Sequence, residues 1–424
     1  MKKRLLFALA MSLSICLTSC KKQDTPEPTP TYDYSYFNGM CALSGEFNNG
    51  VDIGLTNDWT ASRIRAMKAK SCRIWIAMSG LFSVGDEDDL HVNHLYYLTM
   101  KDHIDKLKDA GVENFLLLYT SFVYPTGYAP STGYVVPDPR EEYDFYIRFL
   151  NLNAEAAKQI KTMFPEIRNF EPGNEPDFAC PGCIHKNGFV YNGGMSVNHD
   201  YIYNDDDKVC ILNDLCWYVR KAVTSVDPNA RVVFPGLTNQ ATVPDFVDLI
   251  YKKIESKTLP AGQQYSDTNP DNYFDVLNWH PYPTQLNADN TINWDRWVEY
   301  NVSIYDVSIY DVVKKHHDNG KEIYFSELGW TDWGTGDQDG LETIADNYTQ
   351  AFTRIKSEMP WVTAVFPFRL TNLKYQMLDY TGGEENFGLF YHPDDDVHHG
   401  APKPAAYAVA KIFNGEDYNL DENL

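Results

Sequence analysis

The 424-residue chain sets 59 Asp and Glu against 36 Lys and Arg, for a formal charge of −23. It therefore lacks the clustered cations that grip nucleic-acid phosphates, and its field disfavours strongly acidic substrates. Aromatic residues make up 14% of the chain, and several stand beside the motifs described below, where flat apolar faces with polar rims suit sugar rings.

The chain opens with Met1-Lys2-Lys3-Arg4 and an apolar run from Leu5 to Leu17. This is the charged-then-apolar order of a secretory signal, and it is too short to cross a bilayer. Leu17-Thr18-Ser19-Cys20 resembles the lipobox of bacterial lipoproteins. The resemblance implies a signal peptide over 1–19, acylation of Cys20, and anchorage to the bacterial outer membrane on a leaflet left open. The alternative is an ordinary signal followed by an incidental cysteine. Residues 20–35 are rich in proline, threonine and charge and read as a flexible tether. From Tyr36 to Leu424 no second linker of that composition appears, so one domain is expected. It is longer than the ~250 residues of a minimal (β/α)8 barrel.

Short apolar runs alternate with amphipathic stretches, the order of repeated βα units on a parallel sheet. Strands are expected at Asn38–Leu43, Ser71–Met78, Asn114–Tyr119, Asn169–Gly173, Arg231–Gly236, Phe274–His280, Glu322–Ser326 and Thr363–Phe368. Helices are expected at Thr60–Lys70, Thr99–Ala110, Glu142–Thr162, Lys208–Ser225, Asp245–Ser256, Ser303–His317, Leu341–Glu358 and Pro404–Phe413. Ala110-Gly111 and Asn319-Gly320 supply helix ends. Periodicity alone does not choose between a closed barrel and an open doubly wound sheet. The chemistry at the strand ends favours the (β/α)8 barrel, whose sites lie at the C-terminal rim. The longest loops, 121–140, 177–207, 281–300 and 372–402, all follow those ends and would wall a cleft.

Six cysteines lie beyond Cys20. Cys180-Pro-Gly-Cys183, with His185, Cys210 and Cys216, has the outline of a zinc site, but disulfides or free thiols are the favoured reading for an exported insertion. Cys41 and Cys72, in apolar strands, read as small buried hydrophobes.

Two strands end abruptly in glutamate: Phe170-Glu171-Pro172-Gly173-Asn174-Glu175-Pro176 and Ile323-Tyr324-Phe325-Ser326-Glu327-Leu328-Gly329-Trp330. Cleaving a glycosidic bond with retention needs one protonated and one ionised carboxyl group about 5–5.5 Å apart. Two strand ends across a narrow barrel can supply that gap. These segments resemble clan A of the glycoside hydrolases, barrel enzymes with Asn-Glu at the end of strand four and a second Glu at the end of strand seven.

The resemblance implies that Glu175 is the acid/base and Asn174 a sugar ligand, with Glu327 the nucleophile and Trp330 a sugar contact. It places Arg73 beside the nucleophile. In Asn278-Trp279-His280-Pro281-Tyr282 it implies an aromatic and histidine segment, with Trp279 a substrate contact and Tyr282 or His280 touching the nucleophile or the sugar. Where many members carry a strand-eight tryptophan, this chain has Phe368-Arg369; Phe368 is expected to stack on the sugar and Arg369 to reach its oxygens. Each residue also has a plainer reading: Arg73 in a core ion pair, His280 as a satisfied structural histidine, Trp330 packing a loop.

The expected protein is a monomeric retaining hydrolase of a β-linked oligo- or polysaccharide, needing no cofactor and no metal because the carboxylates do the proton and covalent work. Two alternatives stand beside it. One is a surface glycan-binding lipoprotein on an inactive barrel, and the other a metal-dependent hydrolase built on Cys180, Cys183, Cys210 and His185.

Overall fold

The computed structural model describes residues 30–42, 56–177, 184–187, 201–238, 243–256, 267–283, 286–288, 291–300, 308–331, 338–373 and 386–424. The signal, Cys20, most of the tether, Cys180 and Cys183 lie outside them. Residues Tyr32–Leu424 form a compact unit, so the folded part takes in the last tether residues; the Tyr32 hydroxyl donates to the Asn319 carbonyl at 2.8 Å.

Eight apolar runs become parallel strands: β1 (Gly39–Cys41), β2 (Ser71–Ala77), β5 (Asn114–Ser121), β6 (Ile167–Glu171), β7 (Arg231–Val232), β8 (Val276–Trp279), β9 (Glu322–Leu328) and β10 (Val362–Pro367). The remaining two, β3 (Phe82–Val84) and β4 (Leu90–Val92), form an antiparallel hairpin in the loop after β2. The ladders run β1-β2-β5-β6-β7 and β10-β9-β8. Parallel bridges join the two arcs at both seams, Asn38 to Val365 on one side and Val233 to Val276 and Leu237 to Trp279 on the other. The Val365 N–H donates to the Phe37 carbonyl at 3.0 Å, and the Phe234 N–H to the Val276 carbonyl at 2.8 Å. The ring closes as the expected (β/α)8 barrel. Strand β7 is short, and pairing continues past it through single bridges at Val233, with Pro235, which has no N–H, interrupting it before Gly236.

Alternation along the strands sorts side chains into two cores. Cys41, Leu116, Val233, Val276, Tyr324, Ala364, Phe366 and Phe368 fill the barrel. Ile74, Ile76, Leu277, Trp279 and Phe325 face the opposite way, into the layer beneath the helices. One irregularity matters to the site. Between Val365–Phe325 and Pro367–Leu328 the register advances two residues on β10 and three on β9. That extra residue is a bulge, which re-aims a side chain at a strand end, and the residues it spans are Ser326 and Glu327.

Helices cover the outside, the longest being Tyr143–Met163, Asp205–Thr224 and Gln338–Glu358. Of the helix expected over 303–317, the described residues hold Ile309–Lys315, and a separate, unexpected helix spans Trp294–Tyr300. Ser308 and Asp311 form a capping box that starts the Ile309–Lys315 helix. Its end departs from the glycine signal: His317, at φ 58°, takes the left-handed position, and Gly320 comes later. Gly111, at φ 101°, does end its helix as expected. Cys41, Cys72 and Cys216 are buried free thiols. His185 is engaged with the Thr132 hydroxyl at 2.8 Å, and Cys210 is buried on the Asp205–Thr224 helix.

At the β1/β10 seam a Cβ on Gly39 would lie 2.6 Å from the Phe366 ring and 2.8 Å from the Val365 carbonyl oxygen. Backbone cannot yield there without opening the ring. Gly39→Ala should therefore cost about 1–3 kcal/mol, read as a lower urea midpoint at unchanged slope.

Candidate active site

The inward face of β2 and the C-terminal ends of β6, β8 and β9 bring one cation and three carboxylates together. Arg73, on the inward face of β2, is fully buried. Its Nε and Nη2 donate to the two oxygens of Glu171, each at 2.8 Å, a bidentate grip. Nη1 donates to Glu327 Oε1 at 2.5 Å, and Nη2 also donates to Asn174 Oδ1 at 2.9 Å. A buried charge requires such matching. Glu171 accepts two more bonds at Oε1, from Asn278 Nδ2 at 2.8 Å and from the Gly236 N–H at 3.0 Å.

Glu175 follows the left-handed Gly173 and itself sits at φ 44°. A non-glycine residue held in that region is strained, and such strain gathers at functional sites. Its N–H donates to the Gly236 carbonyl at 2.8 Å, so one residue of the β7 loop anchors both Glu171 and Glu175. Gly236 must be glycine: a Cβ there would stand 2.3 Å from His280 Nε2.

His280 lies between the two catalytic candidates, fully buried. Nδ1 shares a 2.9 Å hydrogen bond with Glu175 Oε1 and lies 3.7 Å from Glu327 Oε2, while Nε2 pairs with Ser326 Oγ at 3.0 Å. Burial disfavours its charged form, yet the carboxylates of Glu327 and Glu175 outweigh that and raise its pKa. The Tyr282 hydroxyl donates to Glu327 Oε2 at 2.8 Å, and burial with these neighbouring charges holds the phenol well above its ordinary range. Burial pushes Glu327 up in turn, but His280, Arg73 and the Tyr282 bond prevail and hold it below the usual carboxylate range. Glu327 is thus prepared as an anion. Glu175, with 24% of its side chain exposed, faces the opening.

Among the described residues, an oxygen of Glu175, an oxygen of Glu327 and a His280 nitrogen lie within 4.8 Å of one another. A metal would need these atoms, yet Arg73 and Tyr282 already occupy both oxygens of Glu327, and Glu175 and Ser326 occupy both nitrogens of His280. The donor set suits proton sharing rather than metal ligation. A separate cavity of about 440 Å³ lined by Tyr34, Phe37, Lys356 and Met359 opens near the starts of β1 and β10, at the end of the barrel away from the carboxylates.

The structure thus gathers Arg73, Asn174, Glu175, His280, Tyr282 and Glu327. Trp279 is not with them. It is 1% exposed, donates its indole N–H to the Thr238 carbonyl at 3.1 Å and packs edge-on against Phe325. Between the inward Asn278 and His280, alternation turns it outward, which corrects its expected role as a substrate contact. Trp330 packs against Tyr348 and Trp294, the plainer of its two readings. Phe368 is 6% exposed, stacked on Trp75 with ring centres 6.5 Å apart and edge-on to Phe387. Arg369 is 3% exposed beside the Phe368 ring, so the aromatic faces left open here are those of Trp75, Tyr282 and Phe387.

No protein-family model and no curated protein matches this sequence. Solved structures match its architecture. A family 39 glycoside hydrolase from the gut symbiont Bacteroides cellulosilyticus WH2 shares 16% identity at TM-score 0.50, covering 92% of this chain and 65% of its own. A monomeric β-xylosidase from Caulobacter crescentus CB15 shares 14% at TM-score 0.54, covering 91% and 69%. A GH5-4 broad-specificity endoglucanase from Clostridium acetobutylicum shares 10% at TM-score 0.53, covering 90% and 96%. The fold is the (β/α)8 barrel that these structures share. The chain spans about two thirds of the length of the Bacteroides and Caulobacter proteins. Counted around the barrel, β6 and β9 are the fourth and seventh strands, with Glu175 just beyond the end of the first and Glu327 near the end of the second.

Sequence reading overlooked Glu171, whose signal was a charged residue inside an apolar strand, and Asp177. The Asp177 oxygens accept from the Thr238 N–H at 2.9 Å and its hydroxyl at 2.6 Å, and burial raises its pKa to about 6. A native carboxyl that holds its proton more tightly than the unfolded one lowers stability as pH rises from about 4 to about 6. Asp177→Asn cannot titrate, so its stability relative to the parent should climb across that window by on the order of 2 kcal/mol. Urea unfolding at pH 4 and pH 7 measures the gap.

Proposed function

We propose that this protein is a retaining glycoside hydrolase that cleaves a β-linked glycan by double displacement, with Glu327 as nucleophile and Glu175 as acid/base. The observation that carries the reading is the approach of the two carboxylates to within 4.8 Å, compatible with the spacing of retaining enzymes and too close for an intervening water. Glu327, held ionised by Arg73, Tyr282 and His280, would attack the anomeric carbon. Glu175 would protonate the departing oxygen and then deprotonate the incoming water. Asn174 is available to a sugar hydroxyl, and Trp75, Tyr282 and Phe387 offer apolar faces to a ring. The neighbours' names, glycoside hydrolase, β-xylosidase and endoglucanase, support the reaction class.

An inactive glycan-binding barrel is the less favoured reading, because a binder has no use for a nucleophile stripped of its proton. A panel of aryl β-glycosides and β-glucan, xylan and mannan polymers tests the activity, with the product anomer followed by NMR. Retention is expected, and inversion or no turnover at all would refute the mechanism. Glu327→Gln should lose about a thousandfold or more in kcat. Glu175→Gln should lose about 10²–10⁴-fold on poor leaving groups, and far less on a dinitrophenyl glycoside, whose leaving group needs no proton.

We also read Leu17-Thr18-Ser19-Cys20 as the anchor that would present this hydrolase at the outer membrane. Metabolic labelling with palmitate should mark the protein, and Cys20→Ala should abolish both the label and recovery in the membrane fraction.

A further inference from the structure

Glu171 is the third carboxylate of the site, and the proposed reaction gives it no role. It is fully buried and too enclosed to meet substrate. A buried Glu–Arg pair is often no more than a structural tie, but the geometry here asks for more. Arg73 divides its donors: two nitrogens hold Glu171 in parallel, and the third points at Glu327. Glu171 is fixed in turn by Asn278 Nδ2 from β8 and by the Gly236 N–H from the loop after β7.

We propose that Glu171 is a positioning residue for the nucleophile: it aims the guanidinium at Glu327 and offsets its charge, so that Glu327 stays ionised while keeping the basicity an attacking carboxylate needs. The inference rests on the reading of Glu327 as nucleophile. Its physical content is a balance. The groups facing Glu327 are Arg73 from β2, His280 and Tyr282 from the segment after β8, Cys41 from β1 and Glu175 from the loop after β6, with Glu171 at the end of β6 acting through Arg73. If Arg73 faced Glu327 alone, a full buried cation 2.5 Å away would deepen the carboxylate's stability and blunt its attack. With Glu171 in place the arginine arrives already neutralised, and its remaining N–H serves as an orienting hydrogen bond.

Two variants move the balance in opposite directions. Glu171→Gln keeps the shape and removes the negative charge. Asn278→Ala keeps the charge and removes one of the donors that temper it. The readout is the titration of Glu327 by 13C NMR of carboxyl-labelled glutamate, assigned by its disappearance in Glu327→Gln. Glu171→Gln should lower the Glu327 midpoint by about one pH unit, and Asn278→Ala should raise it by a smaller amount.

A second readout is kcat/KM on 2,4-dinitrophenyl β-D-xyloside and β-D-glucoside, which reports the attack up to loss of the leaving group and needs no proton from Glu175. Glu171→Gln should fall there by about ten- to a hundredfold. A merely structural tie would lower the melting temperature of both variants and leave the Glu327 midpoint where it was, and that result overturns the proposal. Should Glu171→Gln fail to fold, the upward shift in Asn278→Ala decides alone. A shifted midpoint in a protein that turns over no glycoside would sink the reading of the reaction instead, leaving the electrostatic inference intact.

Discussion

Arg73 has no contact with solvent, and a guanidinium in that position is tolerated only when its charge and its donors are all answered. The answers come from β6, through Glu171 and Asn174, and from β9, through Glu327. Because β6 and β9 belong to different arcs of the sheet, the arginine works as a cross-tie through the barrel as well as a local partner. The ring must close at both seams to bring these strands within reach of it. Fold and site are in this sense one construction.

The proton arrangement follows from the same enclosure. Removed from water, Glu327 would ordinarily gain a proton; the donors of Arg73, Tyr282 and His280 reverse that outcome. Glu175 keeps an exposed face and shares a hydrogen bond with His280 Nδ1, the same nitrogen that Glu327 approaches. Two glutamates of the same chemistry thus stand in different surroundings, one enclosed among donors and one open to the cleft. That asymmetry is what an acid and a nucleophile working side by side require.

Much of this was legible in the sequence. All eight barrel strands announced themselves as apolar runs, and the residues singled out on or just beyond them, Arg73, Glu175, His280, Tyr282 and Glu327, do come together in the structure. What stayed hidden depended on three-dimensional phase. Trp279 and His280 are adjacent in sequence, and only the pleat reveals that one faces the helices and the other the site. The bulge on β9 is written in no single residue, since it arises from register against β10. Glu171 looked like part of a motif because its partner lies 98 positions away. The helix end at His317 misled because a left-handed turn there is taken by a histidine while the glycine three residues on is ordinary.

Gly236 donates to Glu171 through its N–H and accepts from Glu175 through its carbonyl. The spatial reference for both carboxylates is therefore main chain at the root of a loop, and no side chain on the rim defines it. Rim segments of other lengths would leave that reference, and with it both carboxylates, where they stand. What the rim grips and where the carboxylates sit would then be set by different stretches of chain.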